Sequence, residues 1–232
     1  MKLIASTHIE VDDNMVDDAI SEFMETRPEF TAAETLTEFA GRACYESFHR
    51  PNPATADTGD YLKRTLFEQA HWSIAEHSSA TFYITGISRA LTHELIRHRH
   101  LSYSQLSQRF VNEENANIVV PPAIRTYAGG EITADMEIAQ VADAASESYV
   151  FIVNQLVGLG ELPRKQAREA ARAVLPNMTE TRIVVTGNLR AWHEVIQRRT
   201  APDADAEIQE VMGMVRDELH KIAPNIFPKG NA

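Results

Sequence analysis

Residues 79–109 read SATFYITGISRALTHELIRHRHLSYSQLSQR, a strand pattern that passes directly into a helix pattern. In SATFYITGIS (79–88) Ala80, Phe82 and Ile84 alternate with Thr81, Tyr83 and Thr85, the pattern of a strand with one buried face. Ser88 then stands where a helix cap belongs, and the spacing predicts a helix from Arg89 to about His100. Beyond it, residues 102–109 are rich in hydroxyls and amides and close on Arg109.

Working outward, Thr31-Ala-Ala-Glu34 has the form of a capping box. The helix it starts carries Leu36, Phe39, Ala40, Ala43 and Cys44 on one face, expected inward. HRPNPATADTGD (49–60) has the composition of a loop, followed by a helix with Leu62, Leu66 and Phe67 inward. NIVV (117–120) predicts a short strand ended by Pro121 and Pro122. The second half is mostly helical: about Ala134 to Leu159, then Pro163 to Val174. TRIVVT (181–186) is a strand candidate, Asn188 caps a helix running towards Arg198, and an amphipathic helix covers roughly Ala204 to Ile222. Strands and helices intersperse without regular βαβ alternation. The fold class is α+β, a small and mainly antiparallel sheet packed with helices, in a single domain over 1–232.

With 44% apolar and 24% charged residues, the 232-residue chain has an ordinary globular composition. No apolar run approaches the ~20 residues of a membrane span. The start, MKLIASTHIEVDD, turns acidic too early for a signal peptide. The expected address is cytoplasmic. Cys44 is the single cysteine, which excludes an intrachain disulfide or a thiolate cluster. Its place on the apolar face predicts a buried structural thiol.

Net charge is −11, yet residues 89–109 carry four arginines against one carboxylate, Glu94. On a helix to His100, Arg89, His93, Arg97 and His100 share a face. Consecutive Arg97, His98 and Arg99 fan around its end and cannot all be buried unpaired. They meet either solvent or anions, and the rigid guanidinium fork suits phosphate. A basic island in an acidic chain favours a focused anion site over general nucleic-acid binding. Arg164, Arg168 and Arg172 form a second stripe that a solvated face also explains. His71, Glu76 and His77 match no metal-ligand pattern, and HELIRH (93–98) lacks the i, i+4 histidines of a zinc protease. Two alternatives to an enzyme of anionic substrates follow: a non-enzymatic nucleotide- or RNA-binding module, and a metal hydrolase through His71, Glu76 and His77.

Arg97-His98-Arg99, followed by seven residues and Ser107, resembles the signature of the flavin-dependent thymidylate synthases. RACYES (42–47), HWSIAEH (71–77), SQLSQRF (104–110), ARAVLPN (171–177) and GNLRAW (187–192) resemble that family in order and spacing. The resemblance implies synthesis of dTMP from dUMP. It implies bound FAD as redox carrier, with 5,10-methylenetetrahydrofolate as carbon donor and NADPH as reductant. It also implies a homotetramer with active sites shared between subunits. By the same resemblance Arg97, His98, Arg99, Gln105, Ser73, Asn188, Leu189, Arg190 and Glu194 contact the flavin. Gln105, Leu106, Ser107, Gln108 and Arg109 cradle the nucleotide, aided by Glu94, Leu95, Ile96, Arg97 and Arg172. Arg199 matches the catalytic arginine that activates the uracil ring. The chain departs from the family pattern in two places. Many members carry Asn-Glu at Ser104-Gln105, and often His or Asn at Glu194, beside which His193 is an alternative flavin contact.

Overall fold

In a computed structural model, residues 1–10, 23, 29–50, 52–127 and 134–229 are described. Four strands form one antiparallel sheet: β1 (Lys2–Ser6), β2 (Ser79–Ser88), β3 (Ser102–Gln105) and β4 (Glu180–Asn188), in the order β1-β2-β4-β3. Around it lie α1 (Ala32–Ala43), α2 (Thr58–Leu62), α3 (Arg89–Leu95), α4 (Pro122–Tyr127), α5 (Ala134–Gly158), α6 (Arg164–Ala171), α7 (Leu189–Arg199) and α8 (Ala206–Ile222). The alternation in β2 places Ala80, Phe82 and Ile84 inward, and β4 buries Ile183 and Val185 beside them. That face packs on Trp192, Val195 and Ile196 of α7 and on Ile208, Met212 and Val215 of α8. Burial of such side chains stabilises by roughly 1.5–3 kcal/mol each. Register slips between Ile84 and Ile87, where Gly86 has φ +70°, a bulge conformation suited to glycine. A smaller cluster of Tyr149, Val153, Ala167 and Ala171 joins α5 to α6.

Both central strands run directly into helices. Ser88 Oγ accepts from Leu91 N at 3.0 Å, and Asn188 Oδ1 accepts from Ala191 N at 2.8 Å. Each cap supplies an acceptor that the first helical turn lacks. Gly187 precedes the second cap: a Cβ there would overlap the Leu101 side chain.

Several expectations are corrected. Helix α3 ends at Leu95, not near His100. The chain leaves it through tight turns, His98 N to Leu95 O and Leu101 N to His98 O, while the Tyr103 hydroxyl donates to Leu95 O at 2.7 Å and His98 O at 2.9 Å. Carbonyls that would have continued the helix are satisfied from outside it. Arg97 and His100 therefore do not share a helical face with Arg89 and His93. Helix α1 buries Ala33, Glu34, Thr37, Glu38, Gly41 and Arg42 rather than its apolar stripe. Those polar groups answer one another: Arg42 Nε donates to Glu38 at 2.6 Å, and its terminal nitrogens donate to Ser47 O and Thr55 O. Thr58 donates to the other Glu38 oxygen, and Glu34 accepts from Asn225 N at 2.6 Å. Cys44 is exposed, just past the helix end, so it is no buried structural thiol. Phe67 is exposed too, edge-on to Trp72 and His193. The loop expected at 49–60 contains a short 3-10 turn, Pro53–Thr55, and the start of α2. In place of the strand at 117–120, Ile118 makes a single bridge to Thr179. Strands β1 and β3 were not anticipated.

Candidate active site

The strand–helix junction of β4 and α7 and the turns after α3 come together. Arg97, His98, Arg99 and His100 line a cleft of about 270 Å³ with Ala191, Glu194, Val195 and Arg198. An adjoining hollow of about 180 Å³ is bounded by Glu76, His100, Asn188, Arg190, Ala191 and Glu194. A third, of about 480 Å³, holds Ser73 and Trp72 from the 3-10 turn Trp72–Glu76, with Arg190, His193 and Glu194. Shared linings make these one groove along α7.

Within it the charges are unequally satisfied. Arg190 donates to Glu76 at 2.6 Å and to Glu194 at 3.0 Å, so the Glu194 carboxylate is an acceptor already engaged. Arg97 and Arg99 are exposed and make no ion pair among the described residues. His193 stacks on Trp72 at 3.7 Å between ring centroids, and burial pushes its imidazole down to about 4. Leu189 is fully buried, and its N–H donates to Ser78 O at 2.8 Å, so it anchors α7 to the core.

At the inner edge, Arg199 is held at three points. Its Nη1 donates to Glu94 Oε2 at 2.7 Å, its Nη2 to Glu94 O at 3.2 Å, and its Nε to His98 Nε2 at 2.9 Å. Burial, then Arg199 and Arg198, lower the His98 pKa. Burial, then the adjacent Asp205 carboxyl, raise that of Glu94 against the pull of Arg199. Tyr103, which ties off the turn, is pushed up to about 12 by burial. Leu95 is fully buried beneath this cluster and Ile96 is exposed.

The remaining predicted residues begin at the last residue of β3, Gln105, and continue beyond it. Gln105 Nε2 donates to Thr92 Oγ1 at 3.2 Å and Thr181 Oγ1 at 3.3 Å. Leu106 N pairs with Arg182 O, and Ser107 O accepts from Phe110 N and Val111 N. Gln108 is buried, with an Nε2 that has no partner among the described residues. Arg109 is exposed, 3.8 Å from Glu169. Arg172 lies in the exposed 3-10 turn after α6, within electrostatic reach of Arg89, whose Nη1 is buried without a partner among the described residues. The basic stretch thus supplies two sets, at opposite ends of β3: Arg97–His100 with α7, and Ser107–Arg109 towards α6 and Arg172.

Sequence reasoning missed Glu76 as the partner of Arg190, Asp205 beside Glu94, and the Trp72–His193 stack. Each pairs residues far apart in the chain, and only the single basic residue Arg190 and the pattern HWSIAEH hinted at the first.

The comparisons with known proteins agree with this architecture. A family model described as thymidylate synthase complementing protein matches residues 28–225. A flavin-dependent thymidylate synthase of Mycobacteroides abscessus is 52% identical over 198 residues, covering 83% of this chain and 77% of the relative. The one from Mycobacterium tuberculosis is 50% identical over 200 residues with the same coverage of each chain. Among solved structures, a Helicobacter pylori thymidylate synthase X, crystallised with FAD and dUMP, superposes with a TM-score of 0.63. It is 20% identical, covering 84% of this chain and 92% of that one, a likeness of fold. The fold is of α+β class, a small antiparallel sheet packed with helices, with a groove along α7 that Arg97, Arg99 and Arg190 line. This chain belongs to the flavin-dependent thymidylate synthase family.

Proposed function

We propose that the protein makes dTMP from dUMP by reductive methylation, with FAD as bound redox carrier, 5,10-methylenetetrahydrofolate as carbon donor and NADPH as reductant. The observation that carries this reading is the groove itself. Two exposed guanidiniums with no ion pair among the described residues, Arg97 and Arg99, line its cleft with Ala191 from the first turn of α7, while the cap Asn188 and Arg190 bound the adjoining hollow. A helix N-terminus flanked by arginines suits a pyrophosphate, so these residues fit FAD, with Ser73, Asn188 and Arg190 further along. When bound, FAD supplies the hydride chemistry.

The chain's own residues then orient and polarise. Arg199, permanently protonated, stabilises negative charge on the uracil N3–O4 edge as C5 becomes nucleophilic. Its position is set beforehand by Glu94 and His98. Ser107, Gln108, Arg109 and Arg172 take the nucleotide phosphate; the unpartnered Gln108 Nε2 is a buried donor awaiting such an acceptor. Glu194 accepts from Arg190 and so acts in the groove through that guanidinium, while His193, neutral and stacked, offers a flat wall. Because the two sets lie at opposite ends of β3, one chain presents its flavin groove and its phosphate cradle apart. A homotetramer in which one subunit's cradle faces another's groove reunites them. The exposed apolar residues Phe151, Met136 and Val141 on α5 are consistent with such assembly. The proposal also takes residues 1–232 as one domain working in the cytoplasm.

A non-enzymatic nucleotide- or RNA-binding module on the same basic turn would bind oligonucleotide with a steep salt dependence; the charge of −11 opposes it. Purified protein titrated with FAD tests the proposal. A shifted flavin absorbance band that co-elutes with the protein is expected. Protein that takes up no FAD under any condition would contradict it.

A further inference from the structure

An arginine Nε carries one hydrogen and can only donate. In the Arg199–His98 contact, at 2.9 Å, it points at the imidazole Nε2. That nitrogen must therefore present its lone pair, which places the His98 proton on Nδ1. A doubly protonated imidazole has no acceptor to offer and would set two cations side by side. The contact is thus possible in one protonation state only.

The groups around His98 reinforce this. Arg199 and Arg198 approach from α7, and both disfavour a second proton. Arg97, Arg99 and His100 share its cleft from the same turn. Among the anions nearby, Glu194 of α7 lines the same cleft and is engaged by Arg190, while Glu94 of α3 is committed to Arg199 through two bonds and is pressed by Asp205 at the N-cap of α8. The turn is itself braced, since Tyr103 and Leu101 both donate to His98 O. Those bonds hold the His98 backbone, the anchor from which the imidazole reaches Arg199.

We propose that His98 is a positioning residue for Arg199: as a neutral acceptor at Nε2 it fixes the guanidinium plane, and its protonation releases Arg199 from the catalytic pose. This rests on the function proposed above, in which Arg199 polarises uracil. The three contacts occupy the Nε hydrogen and one hydrogen on each terminal nitrogen. One N–H on each terminal nitrogen is left for the nucleotide. Without His98 the guanidinium can pivot about its two bonds to Glu94, so the loss falls on turnover more than on binding.

The full-length protein saturated with FAD and dUMP provides the test, as profiles of kcat against pH for three forms. Glutamine places its Oε1 near where histidine has Nε2, so His98→Gln keeps a neutral acceptor. Its kcat should exceed that of His98→Ala by about fivefold or more, and the acidic limb of the wild-type profile should flatten. His98→Ala keeps no acceptor and should lose roughly tenfold to a hundredfold in kcat, with FAD still bound at saturation. Wild-type kcat in His98→Ala, or an unchanged acidic limb in His98→Gln, would overturn the inference. An activity-free arm follows the His98 ring nitrogens by 15N NMR. Wild type should titrate below the ordinary histidine range, and Arg199→Ala should move the titration upward. An unmoved titration would also overturn the inference. If wild type made no dTMP while the titration still responded to Arg199, the contact would stand and the proposed activity would fall.

Discussion

Replacing Arg199 by lysine preserves the charge and removes the geometry. The guanidinium spans three acceptors, Glu94 Oε2 at 2.7 Å, Glu94 O at 3.2 Å and His98 Nε2 at 2.9 Å. A single ammonium on a shorter reach cannot meet all three and still face a ligand. Losing one preorganised donor aimed at developing charge costs about 10²–10³ in kcat, or about 2.7–4 kcal/mol. The stability cost is much smaller. Arg199 and Glu94 side chains retain 19% and 25% of their exposure, so the pair contributes about 1 kcal/mol or less to folding. For a chain of this size that is about 2–4 °C in Tm. Arg199→Lys should therefore melt within a few degrees of wild type, bind FAD with an unaltered spectrum, and lose nearly all dTMP formation measured by chromatography. Wild-type turnover in the folded variant would refute the role given to the fork. A melting temperature lowered by far more than that few-degree range would show that Arg199 is chiefly structural.

Three other perturbations separate further parts of the structure. Arg42→Ala breaks an ion pair whose side chains are 3% and 0% exposed; removal of one buried partner costs about 3–5 kcal/mol. Arg50 Nε at 3.6 Å from Glu38 keeps the loss near the lower end, read as a fall in the urea midpoint, and a loss under ~1 kcal/mol would deny that the pair is buried in solution. His193 has its folded pKa depressed to about 4, below the 6.5 of the unfolded chain. The unfolded state therefore binds the extra proton first, and the stability tied to neutral His193 is complete above pH 6.5 and lost as pH falls towards 4. His193→Phe keeps the stack on Trp72 and should flatten that part of the pH–stability curve; an unchanged slope would remove His193 as its source. Cys44→Ala should leave turnover intact and stability within about 0.5 kcal/mol, and a folded but inactive variant would give the exposed thiol a part in the chemistry.

How far the sequence could be read depended on whether a residue's environment was local. Strands β2 and β4 were legible because Phe82, Ile84, Ile183 and Val185 face a single core, so burial stamps a period of two on them. Ser88 and Asn188 were legible because a cap acts within three residues of itself. Strand β3, SYSQ, carries no such period: it pairs with β4 alone at the sheet edge, and its side chains alternate between exposed and half-buried. The end of α3 was hidden because the helical pattern continues past Leu95 while the group that ends it, the Tyr103 hydroxyl, comes from eight residues further on. Helix α1 misled in the opposite way. Its apolar stripe was real, but Glu38 and Arg42 are buried because Thr58, Ser47 O and Thr55 O reach them from outside the helix. In the groove, the basic residues announced an anion site, and the family resemblance named its ligands. The clamp on Arg199 joins positions 94, 98 and 199, and the geometry alone could join them.

The central claim is that this basic groove makes dTMP with a bound flavin. Purified protein supplied with dUMP, NADPH and methylenetetrahydrofolate labelled in its one-carbon unit, with FAD present or omitted, tests it most directly. Labelled dTMP should form only in the complete mixture, with formation abolished when FAD is stripped and restored when it is returned. Labelled dTMP formed at the same rate by fully flavin-free protein would contradict it, as would none formed by protein carrying FAD.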